Sequence, residues 1–280
     1  MPATSDPEVP LQLARRTVLL AAGAASAALA VAAPGTAAAA GPLPPAGPRT
    51  GDNPVVRENL AEGSDQWGVG SRETCGVDAR RPEIQGYATA ASVEPGQDLA
   101  LRVSARADRT CTVEVYRLGH YGGDRARHLL TAEDVPADGR TWRTRVPASW
   151  ISGLFLAVLT TPDGHRAYTP FVVREPARRS DVLAVVPLSY AGRRPYPGLG
   201  MPATLGTDAS TARWLEEAGY DVTYATEEDV RKGRVRPARY AAVVHPSATA
   251  LPRPLALAEP GHTDERTRSE AAALLDGLLR

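Results

Sequence analysis

The sequence predicts a mainly β chain that continues into an α/β unit: an immunoglobulin-like β-sandwich followed by a short open α/β sheet. Two observations carry this. Between residues 82 and 173, about seven short runs alternate apolar with polar side chains or are rich in β-branched residues, and Gly, Pro or Asp closes each one. Short strands with a turn every ~8–15 residues are the rhythm of an antiparallel sandwich. After Arg178-Arg179-Ser180-Asp181 the period changes. Val182-Leu183-Ala184-Val185-Val186 is a continuous apolar run, as buried parallel strands require, and helical and strand patterns then alternate. The expected organisation is a leader over 1–40, a Pro/Gly-rich linker over 41–54, the sandwich over 55–175 and the α/β unit over 180–280.

At the N-terminus, Arg15 and Arg16 precede Thr17-Val18-Leu19-Leu20 and an Ala-rich apolar run to Ala33, and Ala37 to Ala40 supply small residues of the cleavage-site type. Paired arginines ahead of such a run fit a twin-arginine export signal, so the mature chain is expected to be secreted or held at the cell surface. The alternative is a membrane anchor. A run of about 17 residues rich in Ala and Gly is short beside the ~20 strongly apolar residues of a spanning helix, so the mature chain is expected to lack a stable membrane span. No Cys follows the small residues, which argues against a lipid anchor. Residues 42–54 read as linker.

The charge balance excludes one class of partner. The 280 residues carry 32 basic and 32 acidic side chains, a formal net charge of zero, and so offer no whole-molecule field for nucleic acid or an anionic membrane. Arg is abundant while Lys is almost absent, and Ala and Pro are frequent, a codon-usage signature that weakens any argument from a lone Arg.

The candidate strands of the sandwich are 84–88, 98–105, 111–118, 127–131, 141–146, 154–161 and 166–173. Trp142, Trp150 and Phe155 are expected in the core or at a sheet edge, where large apolar rings belong. Thr112, Glu114 and Tyr116 alternate with Cys111, Val113 and Val115 and lead into Arg117-Leu118-Gly119-His120-Tyr121-Gly122-Gly123, a glycine-rich run that reads as a hairpin corner. His120 is expected to hydrogen-bond a turn carbonyl. Cys75 and Cys111 are the only two cysteines. They pair in an oxidising compartment, which would contribute roughly 3 to 4 kcal/mol, or they are two separately buried thiols; a zinc site wants about three or four ligands.

In the α/β unit the pattern gives a helix over 208–218 closed by Gly219, a strand over 221–225, a short helix over 227–231, a strand over 240–244 and a last helix over 266–279. Glu216-Glu217 and Glu227-Glu228-Asp229 read as solvated helix faces.

Tyr116 to Gly123, together with Ile84-Gln85-Gly86-Tyr87-Ala88 and Ala91-Ser92-Val93-Glu94-Pro95-Gly96, resembles the exported actinobacterial-type relatives of the large (β) subunit of N,N-dimethylformamidase. Ser149-Trp150-Ile151-Ser152-Gly153-Leu154-Phe155, Tyr168-Thr169-Pro170-Phe171-Val172-Val173-Arg174, and Trp214-Leu215-Glu216 followed by Gly219-Tyr220-Asp221-Val222-Thr223-Tyr224 fit the same family in the same order. The resemblance covers roughly residues 52 to 245. It implies a second domain of flavodoxin-like or amidotransferase-like organisation. It also implies a mononuclear iron, held by tyrosines and a glutamate with a histidine alongside, acting as a Lewis acid on an amide carbonyl and activating water.

Open α/β sheets bind ligands at the carboxyl ends of their strands near a topological switch point, here just after Val186 and just after Val244. The resemblance implies a Tyr-Asn pair in the first place and a Gly-His-x-Glu-Tyr-Trp run in the second. The first segment instead reads Pro187-Leu188-Ser189-Tyr190-Ala191-Gly192-Arg193-Arg194-Pro195-Tyr196, so only Tyr190 or Tyr196 can stand in for a ligand tyrosine. In the second, Ala248 falls where the histidine belongs and Ala250 where the glutamate belongs. His245, at the strand end, is the best lone candidate for a polar function; its other reading is a surface histidine before a Pro turn. Between the first strand and the Trp214 helix, about 27 residues stand where relatives carry a long excursion, and the chain ends soon after the third strand. The five histidines lack metal-binding spacing, and no nucleophile elbow or phosphate loop replaces the site.

The expectation is therefore a catalytically degenerate family member with a binding or structural role and no cofactor. One alternative is a metal-dependent amidohydrolase of non-peptide C–N bonds, with Tyr190, Tyr196 and His245 rearranged around iron. Another is a cell-wall or carbohydrate-binding module. Contact with a partner subunit or with the wall stays open.

Overall fold

The alternating runs of residues 84 to 173 form strands because every second side chain finds apolar company on one face of a sheet. The computed structural model describes residues 17–19, 53–68, 83–175, 177, 180–188 and 205–245. In chain order these give β1 (Thr17–Leu19), α1 (Pro54–Glu58), β2 (Ile84–Ala88), β3 (Ser92–Val93), β4 (Asp98–Ala105), β5 (Thr110–Leu118), β6 (Ala126–Pro136), β7 (Asp138–Arg145), β8 (Gly153–Thr160), β9 (Arg166–Val173), β10 (Val182–Val186), α2 (Leu205–Glu217), β11 (Val222–Thr226), α3 (Glu227–Arg231) and β12 (Ala242–His245).

A three-stranded sheet runs β2-β4-β7 and a five-stranded sheet runs β3-β9-β8-β5-β6. Ile84, Leu99, Leu101 and Val103 from the first sheet share one core with Val113, Val115, Phe155, Phe171 and Val173 from the second. Trp150 stacks on Phe155 with ring centroids 5.1 Å apart, and Phe155 meets Phe171 at 5.4 Å. These rings are core, as expected. Each of the seven expected strands exists, with β6 and β7 longer than read. The short β3 was missed: its parallel pairing to β9, Ser92↔Val172 and Val93↔Val173, is a long-range contact with no local periodicity.

β8 and β9 are buried on both faces almost throughout. The reason is a third layer. The second face of the five-stranded sheet, with Tyr116, Leu118, Leu154, Leu156 and Tyr168, packs against Val182, Ala184, Leu215, Tyr224 and Val244. The strands of this layer are parallel, in the order β1-β12-β10-β11. Leu183, Val185, Ala225, Val235, Tyr240 and Val243 form a separate cluster with Val230 of α3, so this sheet too is covered on both sides, as its unbroken apolar runs require.

Two expectations change at the N-terminal side. Residues 53–59, where the expected linker over 41–54 meets the expected sandwich over 55–175, hold the helix α1. Asn53 caps it, its side chain accepting from the Val55 and Val56 amides, and Pro54 sits at the first turn, where a missing amide proton costs nothing. Thr17–Leu19, read as the head of the leader's apolar run, pairs in parallel with β12 in the register Thr17↔Val243, Val18↔Val244, Leu19↔His245. Thr17 and Val18, both β-branched, have the strand preference that this sheet edge uses. Arg15, Arg16, the rest of the leader and the helix expected over 266–279 lie outside the described residues. Among the described residues, no helix is long and apolar enough to cross a membrane.

Phe155→Ala removes the ring that joins the two sheets and is expected to cost about 3–5 kcal/mol. Urea unfolding followed by tryptophan fluorescence measures this; a cost below about 1 kcal/mol would contradict the core assignment.

Candidate functional site

β10 is the centre of the parallel sheet. The chain leaves it through α2 to reach β11 on one side, then returns through α3 to β12 on the other. The direction of winding reverses between β10 and β12, which makes their carboxyl ends the topological switch point. The registers Val182↔Ala242, Leu183↔Val243 and Ala184↔Val244 set the two ends side by side. The two places chosen from the sequence are thus one place in space. His245 closes β12 there. Tyr190, Tyr196, Ala248 and Ala250 lie outside the described residues, and among the described residues no group of three or more His, Cys, Asp or Glu side chains converges as a metal site.

The polar chemistry that the structure does assemble lies between the layers. Arg117, near the end of β5, is 1% exposed. Its Nη1 and Nη2 donate to Glu216 Oε2 at 2.9 Å and Oε1 at 2.8 Å, the bidentate geometry that suits a guanidinium to a carboxylate. Nη1 also donates to the Tyr121 hydroxyl (3.0 Å) and Nη2 to the Ser152 carbonyl (3.1 Å). Glu216 accepts two more bonds, from the Tyr224 hydroxyl at 2.9 Å and from Asn59 Nδ2 at 2.8 Å. Asn59 Oδ1 in turn accepts the amides of His120 (2.8 Å) and Tyr121 (3.0 Å), while Glu58 accepts from Tyr121 and Arg127. Five segments distant in sequence meet at one ion pair: α1 and Asn59, the end of β5 with its corner, Ser152, α2 and β11.

Backbone geometry is subordinated to this centre. A Cβ on Gly119 would strike Glu216 Oε2 and lie 2.9 Å from Arg117 Nη1, and a Cβ on Gly153 would lie 2.7 Å from Arg117 Nε. Only glycine leaves room for the guanidinium and carboxylate to pass. Tyr121 is held at φ 46, a left-handed conformation that costs a bulky residue on the order of 1–3 kcal/mol and is maintained by its hydroxyl and amide bonds. The hairpin corner read from the sequence is present, but His120 contributes differently than expected: its own carbonyl accepts the Gly123 and Arg125 amides, while its ring stands 3.9 Å from Glu217.

Electrostatics favour the ion pair and the neutral phenols beside it. Burial works against the Arg117 charge, and the adjacent Glu216 carboxylate outweighs that and holds it firmly protonated. Burial, reinforced by Glu216, pushes the Tyr224 hydroxyl well up against the opposing pull of Arg117, and burial likewise pushes Tyr121 up.

A second buried centre corrects another expectation. Asp229, read as part of a solvated face, is fully buried, as is Glu216; only their neighbours Glu217 and Glu227 face outward. Asp229 Oδ2 accepts the Thr226 amide (3.0 Å) and hydroxyl (2.6 Å), while the Thr226 hydroxyl accepts the Asp229 amide, a capping box at α3. Oδ1 accepts Ser92 Oγ at 2.7 Å and Arg234 Nη1 at 3.1 Å, and Arg174 Nε lies 3.3 Å away. Burial pushes this carboxyl up, and the bonds from Thr226, Ser92 and Arg234 overcome it, leaving it below the usual carboxylate range. Ser152 adds a third tie: its hydroxyl accepts the Tyr224 amide at 2.8 Å and donates to the Val173 carbonyl at 3.0 Å.

Cys111 is a free, buried thiol pushed by burial up to about 11. Its possible partner Cys75 lies outside the described residues.

The comparisons with known proteins bear on this architecture. Residues 112–191 match the family model described as N,N-dimethylformamidase beta subunit-like, C-terminal, and over that stretch the resemblance read from the motifs is borne out. No curated protein matches the chain. Similar solved structures include a cycloisomaltooligosaccharide glucanotransferase from Paenibacillus sp., at 16% identity over 37% of this chain and 15% of that one, with a TM-score of 0.26. A superoxide reductase (neelaredoxin) from Ignicoccus hospitalis is 15% identical over 32% of this chain and 78% of its own, at a TM-score of 0.22. A pectate lyase from Erwinia chrysanthemi is 12% identical over 36% and 32%, at 0.23. None of these scores reaches the level of a common overall fold.

Arg117→Met strands Glu216 in the interior and is expected to cost about 3–5 kcal/mol, whereas Arg117→Met with Glu216→Leu costs less than the sum of the single changes; strict additivity in urea unfolding would refute the coupling. Asp229 ionises more readily folded than unfolded. Its stabilisation is therefore complete above the ordinary carboxylate value and is lost as pH falls below about 4. The stability gap between the parent and Asp229→Asn should narrow over that range; a gap that widens on acidification refutes the assignment.

Proposed function

We propose that this chain is an exported N,N-dimethylformamidase beta subunit-like protein that serves a binding or structural role and not amide hydrolysis. In this reading its β unit is immunoglobulin-like and its parallel sheet is of flavodoxin-like or amidotransferase-like type. The single observation that carries the reading is the pair Ala248 and Ala250, standing where the resemblance implies a histidine and a glutamate. A hard iron site needs several oxygen and nitrogen donors. The donors that the sequence offers in the two segments are His245, Tyr190 and Tyr196, and alanines stand at the positions where the resemblance implies a carboxylate and an imidazole. This donor set does not fit the iron that the family implies. Export through Arg15 and Arg16 places the protein outside the cell or on its surface.

One observation favours the second reading, a rearranged metal-dependent amidohydrolase. The adjacent ends of β10 and β12 set His245 beside the strand that leads to Tyr190 and Tyr196.

Metal analysis and turnover assays on the exported protein decide between them. The expected result is substoichiometric iron, no release of formate from formamide or N,N-dimethylformamide, and no change in either on Tyr196→Phe or His245→Ala. Stoichiometric iron with amide hydrolysis that Tyr196→Phe abolishes would establish the second reading.

A further inference from the structure

The three-stranded sheet packs its inner face on the core and leaves its outer face to solvent. That face alternates with the buried Leu99, Leu101 and Val103 along β4, and the register across it is explicit. Tyr87 stands opposite Arg102, and Arg102 opposite Thr141. Ala100 stands opposite Arg143, and Asp98 opposite Arg145. Arg102, Arg143 and Arg145 are exposed, and Tyr87 is half-buried beside them.

Neighbouring arginines on one strand stand about 7 Å apart, and the diagonal from Arg102 to Arg143 spans a comparable ~7–8 Å. Arg143 and Arg145 make no ion pair among the described residues; the carboxylates of the face are Asp98, opposite Arg145, and Asp138, opposite Ser104, at its two ends. In a chain of zero net charge, a solvated face that only confers solubility is expected to mix both signs. Between its two acidic ends this strip gathers three guanidinium groups, an excess of positive charge that complements an anion.

We propose that this outer face binds an acidic polysaccharide, with Arg102, Arg143 and Arg145 receiving its carboxylates and the Tyr87 ring lying against a sugar. Guanidinium groups suit carboxylates through paired N–H donors, and an aromatic ring beside them supplies an apolar surface with a polar tip. A strip three strands wide, about 10 Å across, fits a single extended polymer. A nucleic acid duplex needs a far more basic surface than this molecule carries. The proposal deepens the binding role above by naming its surface and ligand chemistry, yet it stands whether or not the chain hydrolyses amides, because the face lies on the opposite side of the β unit from the parallel sheet.

Titration of the exported protein with alginate, at low and raised salt, tests it. The expected result is binding that weakens with salt, at least about tenfold weaker affinity in Arg102→Ser/Arg143→Ser/Arg145→Ser, and no binding of the propylene glycol ester of alginate, whose carboxylates are neutral. Arg102→Lys/Arg143→Lys/Arg145→Lys, which preserves charge but not the paired donors, should bind more tightly than the serine variant and more weakly than the parent, and guards against a folding artefact. Unchanged affinity in the serine variant, equal binding of the ester, no binding of alginate, or binding only of duplex DNA or anionic vesicles would each overturn the proposal. Iron content and amide turnover, which test the function proposed above, are read separately.

Discussion

The ion pair between Arg117 and Glu216 is the constraint around which the layers are arranged. Two opposite charges in an interior without water are tolerated only when geometry is bidentate and every remaining lone pair is used. Here Tyr121, Tyr224, Asn59 and the Ser152 carbonyl take up the other groups of the pair, and Arg117 Nε lies buried with no hydrogen-bond partner among the described residues. These partners come from α1, β5, the loop before β8, α2 and β11, so no layer can shift without exposing a charge to a low-dielectric surrounding. The glycines at 119 and 153 are consequences of that pair, since any side chain there would collide with it.

A contact of this kind specifies position more than it adds stability. The apolar cluster shared by the five-stranded and parallel sheets supplies most of the driving force, and hydrophobic contact alone permits sliding. The ion pair, the Asp229 centre and the Ser152 hydroxyl pin the interface at separate points. Their joint effect is to fix the orientation of β10 and β12 relative to the β unit, and with it the switch point where this family's chemistry is expected. A rigid scaffold around that point is compatible with either a binding surface or a working site.

Much of the fold was legible because local period reports burial. Ile84–Ala88, Asp98–Ala105 and Arg166–Val173 match the expected spans, and the continuous run Val182–Val186 announced a strand covered on both faces. The strand β3 and the helix α1 were not legible: the first exists only through pairing with β9, and the second is a short helix capped by Asn53 where a Pro/Gly-rich stretch gives way to the β unit. Glu216 and Asp229 misled for a related reason. Each belongs to a run of acids with an outward-facing member, so composition implied solvent, while the side chain turns toward a partner about 100 residues or more away in the chain.

The sequence by itself determined the strand and helix types, the parallel character of the second sheet, the family resemblance, and the alanines at 248 and 250, since these follow from side-chain chemistry and its spacing. Only the tertiary structure decided that the Tyr116–Gly123 motif and the Trp214-Leu215-Glu216 motif belong to one buried centre, and that Arg102, Arg143 and Arg145 share an exposed face. The physical reason is the same in each case. A charge chooses its partner through space, and the distance along the chain carries no record of that choice.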